Sequence, residues 1–139
     1  MITFRSFNIK HKTILIIQSI AMLMGTSTHV SWAIQNGFLS EHYHAPLPSM
    51  LFWDSLTFLD PLAAILLFIR PKTGVTLTLI IICIDVLHNN IFYFDELYLQ
   101  SISLTDWLKT YWMILGQIIF AVFVLLTFRS NLNEINRHS

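Results

Sequence analysis

The sequence predicts an all-α integral membrane protein, a four-helix bundle with both termini cytoplasmic that forms one membrane domain over residues 1–139. Three observations lead there. Hydrophobic residues make up 55% of the chain and charged residues 12%, with a mean hydropathy of +0.63, which leaves too little polar surface to cover a soluble fold of this length. Four apolar runs each approach the ~20 residues that a helix needs to cross a bilayer. The basic residues also lie almost entirely on one side of those runs. Arg5, Lys10 and Lys12 precede the first, Arg70 and Lys72 separate the second from the third, and Arg129 and Arg137 follow the fourth, with Lys109 alone opposite. By the positive-inside rule those segments face the cytoplasm. Glu41, Asp95, Glu96 and Asp106 occupy the other two connections. The expected location is a multi-pass position in a bacterial inner membrane ahead of a eukaryotic one.

The first span is expected near 13–34. Its basic lead, apolar run Ile14 to Gly25 and small residues Ser31 and Ala33 also fit a cleaved signal peptide, although Val30, Trp32 and Ile34 continue the apolar run. The second span covers 49–69 and the third 73–94. Arg70-Pro71-Lys72 between them allows only a tight hairpin, so these two helices are antiparallel neighbours. The fourth covers 107–128. Trp53, Phe92, Tyr93, Tyr98, Trp107, Tyr111 and Trp112 gather at the outer boundary as interfacial anchors.

Ionisable groups inside a span are costly and mark sites or polar glue. Asp85, His88 and Asn89 share one face of the third helix at i, i+3 and i+4, and Gly74 and Thr78 extend that face inward. On the second helix Asp54 lies near the outer end, at or near headgroup level. Asp60 lies deeper, directly before Pro61, where it is placed to cap a helix that restarts after a kink or break. Gln18, Met22, Gly25, His29 and Trp32 form a stripe on the first helix, and Gln117 sits near the middle of the fourth. Helical rise counted from Lys12 and Lys72 puts His29, Asp85 and His88 in one outer-leaflet layer. Two histidines at one depth on different helices could ligate haem or a metal, but no close-spaced ligand motif accompanies them. Glu41-His42-Tyr43-His44 could hold a metal at the surface.

Phe52-Trp53-Asp54 opening the second helix, Pro61 at its middle, the turn Arg70 to Lys72 and the polar end of the third helix at His88 resemble the EXPERA group, the emopamil-binding and sigma-2-receptor-like membrane proteins. That resemblance implies an intramembrane pocket for sterol-like molecules or lipophilic cations. The first helix departs from it in having no acidic residue. Arg70-Pro71-Lys72-Thr73-Gly74 and the run Asp85 to Asn90 are similar to small uncharacterised bacterial membrane proteins.

The expected partners are the lipid bilayer, a small lipophilic ligand, and a membrane-protein partner or second copy; nothing points to nucleic acid. No cofactor is required by the sequence, and no nucleophile elbow, phosphate loop, dinucleotide fingerprint or zincin motif appears. Cys83 is the only cysteine, so no internal disulfide forms. Three functions follow from the polar layer. In the first, Asp54, Asp60, Asp85, His88, Asn89, His29 and Gln117 bind a lipophilic cation or a proton. In the second, His29 and His88 serve a haem or metal redox centre. In the third, the layer holds partner helices in a larger complex.

Overall fold

A computed structural model describes residues 4–94, 98 and 101–138, the side chain of Arg5 excepted; Asp95 and Glu96 lie outside the described residues. Four helices account for nearly all of it: α1 (Ile9–Asn36), α2 (Leu47–Ile69), α3 (Pro71–Phe92) and α4 (Leu104–Arg137). All four are long and apolar enough to cross a membrane. The chain is therefore a multi-pass membrane protein of the all-α class.

Each helix begins where its sequence supplies a start. The Asn8 side chain accepts from the His11 amide and caps α1, and Ser103 does the same for α4 through the Asp106 amide. Proline stands in the first turn of both α2 and α3, where its missing N–H costs nothing. Gly37 ends α1 at φ 81°, a backbone that favours glycine. The single residue Arg70 links α2 to α3, so the two run antiparallel side by side.

The helices pack in chain order, α1 on α2, α2 on α3, α3 on α4, which brings both termini to one end of the bundle. There α1 also meets α4. The Asn8 amide nitrogen Nδ2 donates to Glu134 Oε1 at 2.7 Å, His11 Nε2 lies 3.2 Å from Ser130 Oγ, and Gln18 Nε2 donates to Thr127 Oγ1 at 3.2 Å. This terminal end has an apolar core of Phe7, Leu15, Leu67, Val75 and Ile135. Toward the opposite, loop end the core is Met22, Trp53, Leu56, Ala63, Ala64 and Ile81.

Buried positions recur at helical spacing on one face of each helix: His11, Leu15, Gln18 and Met22 on α1, and Gly74, Thr78, Ile81, Asp85 and Asn89 on α3. The opposite faces are apolar and exposed, as a lipid-facing surface must be. Since lipid solvates leucine as well as a protein core does, helix association rests on close packing and polar contacts. Gly74 shows the first of these. A Cβ there would overlap the backbone of Leu66 and Leu67, so glycine sets how closely α2 and α3 approach.

Two expectations are corrected. The second helix is not broken at Asp60-Pro61, and Asp60 is not an N-cap, because α2 is one α-helix from Leu47 to Ile69 with Pro61 inside it. Proline forfeits one bond, to the Thr57 carbonyl, and the rest of the ladder and the flanking helices hold the segment. The departure from helical geometry lies in α4 instead, at Tyr111 (φ −113°, ψ 17°). α4 also runs to Arg137, well past residue 128.

The close approach at Gly74 predicts that Gly74→Leu destabilises the folded protein by about 1–3 kcal/mol through overpacking. Gly116→Ala, where an added Cβ meets nothing within 4 Å, should not destabilise it and should stabilise it by up to ~1 kcal/mol. Denaturant unfolding in detergent micelles, followed by tryptophan fluorescence, measures both.

Candidate functional site

In the loop-end half of the bundle, α3 supplies an acid and an amide one turn apart. Asn89 uses both ends of its side chain. Its Oδ1 accepts from the Trp53 indole N–H at 2.9 Å, and its Nδ2 donates to Asp85 Oδ1 at 2.9 Å and to Gln117 Oε1 at 3.0 Å. One buried amide thus joins α2, α3 and α4. Losing it would orphan the Trp53 N–H and the Gln117 carbonyl together.

Asp60 faces α1. Its Oδ2 lies 4.0 Å from His29 Nε2, and Gly25, four residues before His29, makes room for it: a Cβ on Gly25 would stand 2.6 Å from that same oxygen. The other oxygen, Oδ1, is buried without a hydrogen-bond partner. The i, i+4 spacing of Gly25 and His29 therefore forms a notch with an imidazole above it, and the carboxyl group occupies the notch.

These groups border one cavity of about 720 Å³. Asp60, Asp85, His29, Asn89 and Gln117 line its middle; Met22, Ile81, Ile82 and Phe120 lie toward the terminal end; and Trp32, Tyr43, Trp53, Tyr93, Tyr111 and Trp112 surround it toward the loop end. The Trp32 indole N–H is buried and unpartnered. Among the described residues no lysine or arginine lines the cavity. Two carboxyl groups thus share a largely apolar, ring-walled space whose basic side chains, among the described residues, are two histidines, His29 beside Asp60 and His42 in the loop.

The remaining candidates go elsewhere. Asp54, expected near the headgroups, is 7% exposed and is absent from the cavity wall. It accepts from the Leu39 amide at 2.6 Å and from the Tyr43 hydroxyl at 2.7 Å, which fastens the connection between α1 and α2 onto α2. Two non-glycine residues of that connection, Leu39 and His44, sit at positive φ, a conformation that the clamp holds in place. His88 lies in the seam between α2 and α3, with Nε2 3.0 Å from Ser49 Oγ and its ring 4.7 Å from that of Phe52 and 6.2 Å from that of Phe92. His29 and His88 therefore make different contacts, His29 at the cavity and His88 outside its lining. In the loop, His42 lines the cavity with its Nδ1 3.1 Å from Ser40 Oγ, while Glu41 and His44 lie outside the lining, and all three are exposed. Among the described residues no three His, Cys, Asp or Glu side chains converge as a metal site.

The sequence reading missed Gly25 as the notch for Asp60, Tyr43 as a wall residue, and the whole polar cluster of Asn8, His11, Asn131 and Glu134 at the terminal end. Only the i, i+4 relation of Gly25 to His29 offered a signal. The cluster joins residues more than a hundred positions apart. Comparison with protein-family models, with curated proteins and with solved structures finds no match to this chain, so its role must be argued from this geometry.

Burial, then the hydrogen bond to Asp54 and that group's charge, hold the Tyr43 phenol above the ordinary tyrosine range. The folded pKa exceeds the unfolded one, so the clamp's contribution is complete below about pH 10 and is lost as pH rises through the folded value. In an alkaline absorbance titration, Tyr43→Phe should remove a tyrosine that ionises above the ordinary range, and Asp54→Ala should return it toward that range. Asp54→Ala should also speed amide hydrogen exchange at Leu39 by about tenfold or more, as expected when a local hydrogen bond is lost.

Proposed function

We propose that this protein binds a lipophilic organic cation in the cavity between its helices. On this reading the termini and Arg70 face the cytoplasm, and the cavity lies in the outer half of the membrane. The observation that carries the proposal is the cavity's charge balance. Asp60 and Asp85 line it, Asp60 keeps one oxygen without a partner, and among the described residues no lysine or arginine lines it to neutralise either group. An apolar wall with a few polar anchors is the usual construction of a small-molecule site. Ring faces next to carboxylates favour a cation that carries apolar substituents.

The parts divide the work. Asp60 and Asp85 supply negative charge in a medium where Coulomb attraction is screened far less than in water. His29 competes with the ligand for Asp60 and yields when the cation arrives. Asn89 fixes the orientation of Asp85 by occupying its Oδ1. Met22, Ile81, Ile82 and Phe120 receive the apolar part of the ligand. Protons and a permanently charged ligand compete for the same two carboxylates, so affinity falls as the medium is acidified.

Tetraphenylphosphonium, whose charge does not depend on pH, is a suitable probe. Purified protein should bind it at one per chain, more tightly at neutral than at acidic pH. Asp60→Asn and Asp85→Asn should each weaken binding about tenfold or more, a loss of ~1.4 kcal/mol or greater, and flatten its pH dependence. The exposed Asp106→Asn should not. Affinity unchanged in both carboxylate variants would sink this reading.

A further inference from the structure

The cavity has a closed back and an open front. Its lining on α2 and α3 is buried: Trp53, Asp60, Ile81, Ile82, Asp85 and Asn89 are each 5–6% exposed. On α1 and α4 the lining includes side chains that also face outward. Met24 is 62% exposed, Trp112 61% and Met113 51%, and Ser27, Thr28 and Gly116 are exposed as well. α1 packs mainly on α2 and α4 on α3, while α1 and α4 touch little. The hydrogen bonds that join those two through Asn8, His11 and Gln18 lie at the terminal end. Past that level α1 and α4 leave a slot, and the cavity reaches the surface through it.

The slot opens at the depth of hydrocarbon. Met24 stands about 18 Å along α1 from Lys12, and Gly116 and Met113 stand about 20 and 24 Å along α4 from Arg129, all within an apolar core ~30 Å thick. At the loop end a row of rings spans the bundle from α1 to α3. Ring centroids are 4.9 Å apart between Trp32 and Tyr43, 5.2 Å between Tyr43 and Trp53, and 6.4 Å between Trp53 and Tyr93, at interplanar angles of 32°, 28° and 26°. Asp54 holds the row in place through the Tyr43 hydroxyl. The side facing lipid is therefore the open one.

Carboxyl groups inside and hydrocarbon outside select opposite ends of one molecule. We propose that the ligand is a cationic amphiphile, an ammonium or phosphonium head on an alkyl chain, whose head sits at Asp60 and Asp85 and whose chain lies out through the slot between α1 and α4 into the leaflet. It arrives sideways from the membrane. The charge of the head rests on the cation reading above; the chain and its route rest on the slot. The chain has apolar surroundings both in lipid and in the slot, so its length costs nothing, and the flexible thioethers of Met24 and Met113 conform to it. A cavity of about 720 Å³ closed on all sides would instead admit only molecules below a fixed length. Ser27 on α1 and Gly116 on α4 keep the lips of the slot small, and a Cβ on Gly116 would meet nothing within 4 Å.

The test measures binding of methyl-, hexyl- and hexadecyltriphenylphosphonium to the full chain in phosphatidylcholine nanodiscs, each corrected for uptake by protein-free nanodiscs. With the free probe expressed as its mole fraction in the bilayer, the wild-type Kd should stay within about threefold from the hexyl to the hexadecyl compound, because the added chain is in apolar surroundings before and after binding. Gly116→Leu and Ser27→Leu place bulk on the two lips of the slot. Each should weaken hexadecyl binding about tenfold or more and leave methyl binding within about threefold, which also shows that the variant is folded. A wild type that binds the methyl compound and excludes the hexadecyl one overturns the inference while the cation site stands, and gives the slot to a partner helix or a second copy. Variants that treat the short and long cations alike overturn it too, since the lips are then only cavity wall. If the wild type binds none of the three, the cation reading itself fails, and this inference with it.

Discussion

Inside a bilayer an apolar side chain gains little by turning from lipid to protein, so the force that assembles soluble bundles is nearly absent between these helices. What remains is contact distance and polarity, and both are concentrated on the inward faces. Gly74 lets α2 and α3 meet backbone to backbone. Asn89 then ties α2, α3 and α4 with one amide, and Asn8, His11 and Gln18 tie α1 to α4. The polar stripe is therefore both the cohesion of the bundle and the lining of its interior, and a substitution in it acts on stability and chemistry together.

Asp54 and Asp60 show how far apart those roles can move on one helix. They are less than two turns from each other on α2. Asp54 accepts two short hydrogen bonds from a connection that folds over it, and its lone pairs are spent on structure. Asp60 has a histidine at 4.0 Å and an oxygen with no partner. A carboxyl group that is fully satisfied holds a fold; one left partly unsatisfied in a cavity keeps its capacity to bind. The same contrast separates Glu134, which accepts from the Asn8 side chain at 2.7 Å and has Arg137 and His138 beside it, from Asp85, which accepts from Asn89 on one oxygen and lines the cavity.

Length and hydropathy made the four helices legible, because a bilayer requires about 20 apolar residues whatever the sequence's detail. The hairpin at Arg70-Pro71-Lys72 was legible because its shortness leaves no alternative. Local rules failed where neighbours decide. Pro61 reads as a break, but a helix supported on two sides tolerates one missing bond, whereas Tyr111 leaves helical dihedrals with no proline beside it in the sequence. Depth along the axis was readable for His29 and Asp60, and the direction each faces was not. Counting residues put His88 level with His29 but could not show that it turns to Ser49. Asn131 and Glu134 lie beyond the last apolar run, where sequence suggests a solvated tail; only the return of Asn8 and His11 buries them.

The ties between α1 and α4 connect residues 8, 11 and 18 with 134, 130 and 127, almost the whole chain apart. During synthesis the first helix enters the membrane long before its partner exists. The His11 Nε2 and the Gln18 amide therefore lack their partners until α4 leaves the ribosome. α2 can dock on α1 and α3 on α2 as they emerge, but the seam that seals the terminal end closes only once α4 has emerged. Premature termination anywhere before residue 127 would leave the Gln18 amide without its Thr127 partner in a bundle otherwise helical.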